Sequence, residues 1–265
     1  MQNYKNDQLV KDENQMMDVA ILTTIGNREE QQDMFGYHLM NNEGIVVICD
    51  GMGGHKGGKL ASGISVEQFL RDYRNHYPAQ DPIGLLMSSA KSCDAAISEL
   101  RNDSGEKLNA GSTCVSVIIR EKQLYWCSVG DSRAYLLRGE EFVQLTQDQN
   151  YKTVLGERLR TGEITDAEYR LELGRGEALI SYLGIGELSL IDYNSTPLSL
   201  ESGDKIILMT DGLYKTVPET EIQQILENFR NSAEALQALD KLASKAAKAK
   251  RFSRDNLTAA IITIH

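Results

Sequence analysis

Cysteine and histidine are scarce, with four of each in 265 residues. Cys49, Cys93, Cys114 and Cys127 show no CxxC spacing and sit in apolar surroundings, the pattern of buried reduced thiols. His38, His55, His76 and His265 form no HExxH or His/Cys cluster, which excludes a zinc site of the usual nitrogen and sulfur kind. No apolar run approaches the roughly 20 residues needed to span a bilayer. The opening stretch MQNYKNDQLVKDENQ is polar and holds no signal-peptide hydrophobic region, so the expectation is a cytoplasmic chain. Cationic side chains are short too: 28 Lys and Arg against 38 Asp and Glu leave a net charge of −10. That balance argues against nucleic acid or an anionic membrane as partner. Proline-rich and Gly/Ser linkers are also missing, so residues 1–265 read as one domain long enough to bury a sizeable core.

Aspartates at strand ends are what the chain does have. The apolar runs IVVICDG, LYWCSVGDSR and KIILMTDG deliver Asp50-Gly51, Gly130-Asp131 and Asp211-Gly212. Asp255 precedes LTAAIITI, and Asp33 in REEQQD precedes MFGYHLM. Ionised carboxylates at the ends of buried strands are costly unless something pairs with them. Taken singly, an Asp-Gly pair is a turn signal; the whole set together points to hard divalent cations, which prefer oxygen ligands. Asp50 is the best candidate to be shared by two ions. Its strand runs directly into Gly51, Gly53 and Gly54, where the backbone can bend sharply and present a carbonyl. Two ions sharing a carboxylate hold a hydroxide at neutral pH and offset the charge of a phosphoryl group under in-line attack.

Periodicity places strands at about 18–25, 34–40 and 45–50, then helices at 58–76 and 82–102. A β-meander is expected over STCVSVIIR, KQLYWCSVG, RAYLLR and FVQLT. Residues 1–17 read as a polar lead, and 148–188, charged and glycine-dotted, as a peripheral insertion with one helix at 165–173. Strands at 189–193 and 205–210, helices at 218–230 and 231–250, and a strand at 257–264 complete the chain. The last helix sets Leu236, Leu239, Leu242 and Ala246 on one face, with its Ala/Lys-rich end 243–250 solvated. Strand blocks separated by paired helices indicate an α+β layered sandwich, not an alternating βαβ sheet.

In this order DGMGGHKGGKLAS, GST, VGDSRAYLLRGEEFVQLTQD, TDGL and DNLTAAII resemble the metal-dependent protein serine/threonine phosphatases of the protein phosphatase 2C class, bacterial type. GNREEQQD resembles that family's N-terminal Arg-containing motif, and the match runs from about residue 19 to the end. The resemblance implies a four-layer α-β-β-α sandwich of two antiparallel sheets flanked by helical pairs. It implies hydrolysis of phosphoserine and phosphothreonine by a hydroxide bridging two Mn²⁺ or Mg²⁺ ions, on phosphoproteins made by a Ser/Thr kinase, in a monomeric enzyme. By position, Asp50 would bridge the ions and the Gly51 carbonyl would bind one. Asp211 and Asp255 would hold the first ion and Asp33 would serve the second, directly or through water. Asp131 matches the position that, with Asp211, holds a third, weaker ion. Arg28 matches the arginine that takes the substrate phosphate, a task suited to a planar guanidinium; on the residues alone, a surface pair with Glu29 or Glu30 is the competing reading.

The pattern has departures. Gln32 stands where some relatives have Glu. Met52 stands where others have a His proposed to protonate the leaving group, so a metal-bound water is the expected donor, with His55 a loop-packing residue. Asp148-Gln149-Asn150 replaces Asp-His-Ser, and the flap keeps only an echo in GEIT and YLGIG. Two alternatives accompany the phosphatase reading: a catalytically weak regulatory binding module, and a phosphatase dedicated to one small regulatory phosphoprotein.

Overall fold

The computed structural model describes residues 7–54 and 56–265; His55 and the first six residues of the polar lead lie outside them. In chain order the strands are β1 (Gln8–Glu13), β2 (Met17–Thr24), β3 (Asp33–Met40), β4 (Glu43–Met52), β5 (Gly111–Ser112), β6 (Cys114–Arg120), β7 (Gln123–Val129), β8 (Arg133–Arg138), β9 (Glu141–Gln144), β10 (Asp192–Tyr193), β11 (Leu198–Ser199), β12 (Lys205–Met209) and β13 (Leu257–Ile264). The helices are α1 (Gly57–Asn75), α2 (Pro82–Ser98), α3 (Tyr151–Arg160), α4 (Asp166–Glu172), α5 (Asp211–Tyr214), α6 (Glu219–Asn228) and α7 (Ser232–Lys250).

Two antiparallel sheets result. One runs β1-β2-β13-β12-β8-β9, the other β10-β7-β6-β4-β3, with β11 on β7 and β5 on β4. Both faces of the central strands are apolar, so each sheet must be covered twice. Val19, Ile21, Val46, Ile48, Val117, Leu208 and Ile262 meet between the sheets. The alternate residues Ile45, Val47 and Cys49 of β4 face outward onto Phe69, Tyr73, Leu86 and Ile97 of α1 and α2. On the opposite side Ile207, Met209 and Ile261 face Leu226, Leu236 and Leu239 of α6 and α7. These are the four layers that the resemblance implies. The four cysteines are buried and free, and Met16 and Met17 join the inter-sheet core.

The same alternation places polar groups at one end of the sandwich. A strand's inward row continues every second residue, and here each row turns polar at the same level. Phe35 leads to Asp33, Ile48 to Asp50, Ile21 to Thr23, Leu208 to Thr210 and Ala260 to Thr258. The register agrees: Asp33 lies opposite Asp50, and Thr23 opposite Thr258.

Several sequence expectations change. The meander is interrupted: β7 pairs with β6 in one sheet, whereas β8 pairs with β12 and β9 in the other. Gly130, at φ +96°, takes the crossing, since a side chain there would be strained and would press on Thr113. Hairpins and crossovers share the same local signals, which is why the four runs read as continuous. The polar lead contains a strand: β1 lies on the sheet edge with Val10 opposite Ile21. Its charged residues suit an edge, where they discourage pairing with other chains. The insertion holds two helices, not one, because α3 precedes α4. Helix α2 ends at Ser98, the strand expected over 189–193 shrinks to Asp192–Tyr193, and the end of α7 buries Ala243 and Ala247.

Candidate active site

Loops from both sheets meet above this polar end and enclose a cavity of about 660 Å³. Asp50, Gly51, Asp131, Asp211, Asp255 and Arg28 all line it. Asp33 does not. It is buried beneath the cavity, accepting a hydrogen bond from Thr210 Oγ1 at 2.9 Å, while its own N–H donates to Gln31 Oε1. Asp50 is fixed through its backbone: its N–H donates to Thr113 Oγ1 at 3.1 Å, and its carbonyl accepts from Ser112 Oγ and the Thr113 N–H. Gly51 is a close approach. A Cβ there would stand 2.2 Å from the Gly58 carbonyl oxygen and 2.6 Å from that of Gln32. Met52 lines the cavity as well.

Charge is unbalanced here. Burial holds the Asp33 carboxyl up at about 7, with Asp211 and Asp255 adding to it against the hydrogen bonds of Thr258 and Thr210. Burial, then Asp33, Asp211, Asp131 and Asp255 in turn, push Asp50 well above the usual carboxylate range. Burial and Asp211 raise Asp131 to about 6 while Lys215 works against them. Two cationic side chains answer this field from the cavity lining. Arg28 Nη2 lies 2.6 Å from Asp255 Oδ2, not against Glu29 or Glu30, and this bond raises its pKa. Lys215 Nζ lies 2.9 Å from Asp211 Oδ2.

The model of the family described as protein phosphatase 2C matches residues 23–260. The chain belongs to that family. As a member of protein phosphatase 2C it is a hydrolase, a protein serine/threonine phosphatase. It is 32% identical over 212 residues to the serine/threonine phosphatase stp of Listeria monocytogenes, covering 78% of this chain and 81% of that one. Its structure superposes on the serine/threonine phosphatase of S. agalactiae with a TM-score of 0.80 at 24% identity, over 94% of this chain and 100% of that chain. The catalytic domain of the serine/threonine phosphatase PstP, solved in complex with two manganese ions, gives 0.73 at 23% identity, over 94% and 98%.

The donor set in this protein phosphatase 2C member fits a hard dication. It consists of carboxylate and carbonyl oxygens, the ligands that Mg²⁺ and Mn²⁺ take, and burial first, then the neighbouring carboxylates, raise the pKa of Asp33 and Asp50. Among the described residues no three His, Cys, Asp or Glu side chains are gathered into a ready ligand cluster; Asp255 and Asp211 close instead on Arg28 and Lys215.

Asn256 and Lys215 are supports that sequence reasoning missed, whereas Arg133, just after Asp131, reads as structural support paired with acidic neighbours. Asn256 donates to the Ile25 and Glu30 carbonyls and accepts from the Gln32 N–H, tying the Arg28 loop to β13. Gln149 is buried and accepts the Gly130 N–H at 2.8 Å. Lys215 was readable as the residue one helical turn after Asp211, a spacing that brings side chains together. Arg133 is a structural side chain: Asp148 grips it at 2.9 and 2.7 Å, and it lies 3.8 Å over the Tyr214 ring.

Proposed function

We propose that the protein removes phosphate from phosphoserine and phosphothreonine in proteins, using two divalent cations, Mn²⁺ or Mg²⁺, held at this cavity. What carries the reading is the convergence of Asp50, Asp211 and Asp255 on one cavity, with Asp33 directly beneath. A relative of the same fold bound to two manganese ions supports it. Asp50 would be shared by both ions, the Gly51 carbonyl and Asp211 and Asp255 would complete the ligands of the first, and Asp33 would serve the second. Such ions supply a water that is deprotonated at neutral pH and positive charge against the phosphoryl oxygens.

The remaining work belongs to the chain. Thr210 and Thr258 hydrogen-bond to Asp33 and favour its ionised form, the form that can ligate. Arg28 is 57% exposed at the mouth of the cavity and spends one hydrogen bond on Asp255. Its guanidinium has five donors, so others remain to hold a phosphate in the orientation that attack requires. Met52 brings no titratable group to the wall, so Arg28 orients the substrate without a side-chain acid at that position. The substrates would be products of a serine/threonine kinase, and the enzyme would act as a cytoplasmic monomer.

The test is hydrolysis of a phosphothreonine peptide by EDTA-stripped protein, with and without added Mn²⁺. Turnover is expected only with the metal. Equal rates in EDTA sink the reading.

A further inference from the structure

Asp131 and Asp211 face the same side of the cavity, and a lysine stands between them. Lys215 Nζ lies 2.9 Å from Asp211 Oδ2, 3.7 Å from Asp131 Oδ2 and 2.6 Å from Glu177 Oε2. These carboxylates come from three places. Asp131 sits in the crossing between β7 and β8, Asp211 opens α5, and Glu177 belongs to the segment that follows α4. The Lys215 N–H donates to the Asp211 carbonyl at 2.9 Å, which sets its side chain over the same turn. An ammonium has three donors and no acceptor, and here it has three acidic neighbours.

The pairing of Asp131 with Asp211 carries the expectation of a third divalent ion. An ion ligated by both would have to approach each carboxylate oxygen to about 2.0–2.2 Å. That space is taken by Nζ, and a dication beside it would meet a full positive charge. The residues therefore do not fit a third ion.

We propose that Lys215 is a built-in cation that takes the place of a third divalent ion at the Asp131–Asp211 pair and, through Glu177, fastens the segment after α4 to the metal centre. This rests on the two-ion reading above. Lys215 is a positioning residue. It acts through Asp211, which the proposed function makes a ligand of a core ion, and through Glu177, which lines the cavity wall. The metal requirement is then confined to the core ions, and the wall formed by Glu177 is held by a side chain, not by an exchangeable ion.

The experiment is a calorimetric titration of the EDTA-stripped full chain with Mn²⁺ alone, without substrate. It compares wild type, Asp131→Asn, Lys215→Ala and the double variant Lys215→Ala/Asp131→Asn. Wild type should show no step that Asp131→Asn removes. Lys215→Ala should gain one further, weaker ion per chain, and the double variant should lose it again. Hydrogen exchange should accelerate around Glu177 in Lys215→Ala. An Asp131-dependent step in wild type overturns the inference, and so does a Lys215→Ala isotherm with no added step. Unchanged exchange overturns the tether. Should Lys215→Ala fail to fold, the comparison of wild type with Asp131→Asn still decides. A titration in which wild type binds no Mn²⁺ at all is a different failure: it removes the two-ion reading itself, and the inference with it.

Discussion

The sandwich and the segment 148–188 are held together on opposite terms. In the sandwich both faces of the central strands find apolar partners, and residues such as Ile48 and Ile118 are fully buried. In the segment, α4 buries no side chain and Leu171 is 85% exposed. Apart from the buried anchors Leu155, Ile164 and Leu183, polar contacts do the work there. Thr165 and Glu168 form a capping box, and Arg160–Glu157, Arg158–Glu163 and Arg170–Asp166 pair on the surface. Exposed pairs of this kind contribute little, because water screens them. The carboxylates Asp33, Asp50, Asp211 and Asp255 thus stand on a stiff scaffold, whereas Glu177 reaches the cavity from a part of the molecule expected to open at low cost. The division suits the proposed phosphatase, which would hold its metal ligands rigidly and admit substrates of protein size.

The largest test of this contrast is on the scaffold side. Asp50→Asn should lower turnover of a phosphothreonine peptide by about 10²–10³-fold or more, the scale of losing one group that stabilises charge in the transition state. Its thermal midpoint in EDTA should not fall, because burial and the neighbouring carboxylates already disfavour the Asp50 charge and a neutral amide of the same size replaces it; retained turnover breaks the account. Next, Ile48→Ala should cost about 2–5 kcal/mol by chemical denaturation, since the cavity opens between two sheets that cannot collapse onto it.

A pH series sharpens the picture further. Burial holds the Asp33 carboxyl at about 7 in the fold, above its ordinary 3.8, so the folded metal-free protein keeps a proton that the unfolded chain releases. Its stabilisation is then complete below the unfolded value and drains as pH rises toward 7. In EDTA, the thermal midpoint of wild type relative to Asp33→Asn should decline between those limits; a constant difference contradicts the assignment. Smallest of all, Leu171→Ala should change stability by no more than about 0.5 kcal/mol. A loss comparable to that of Ile48→Ala would show that the segment packs as the sandwich does.

The same contrast explains what could be read from the residues alone. Strands such as 45–50 and 257–264 announce themselves because apolar runs bounded by turns have few other uses, and the aspartates stand at their ends. Strand β1 escapes that logic, since Gln8, Lys11, Asp12 and Glu13 are what an edge tolerates. Helix α3 was hidden by its charge, though Asn150 caps it through the Thr153 N–H and Leu155 is its buried anchor. The sheet exchange at Gly130 leaves no local mark, because which sheet a strand joins is decided by partners far away in the chain. Lys215 and Glu177 were invisible as a pair for the same reason: their meeting depends on how a loosely packed segment folds back over α5.

The central claim is that Asp50 is shared between two dications at the end of the sandwich. An anomalous-difference map from crystals soaked in Mn²⁺ tests it most directly. The account predicts two peaks that both contact Asp50, one of them also touching the Gly51 carbonyl, Asp211 and Asp255. A map with its peaks away from Asp50, or with a single ion that leaves Asp50 untouched, would contradict it.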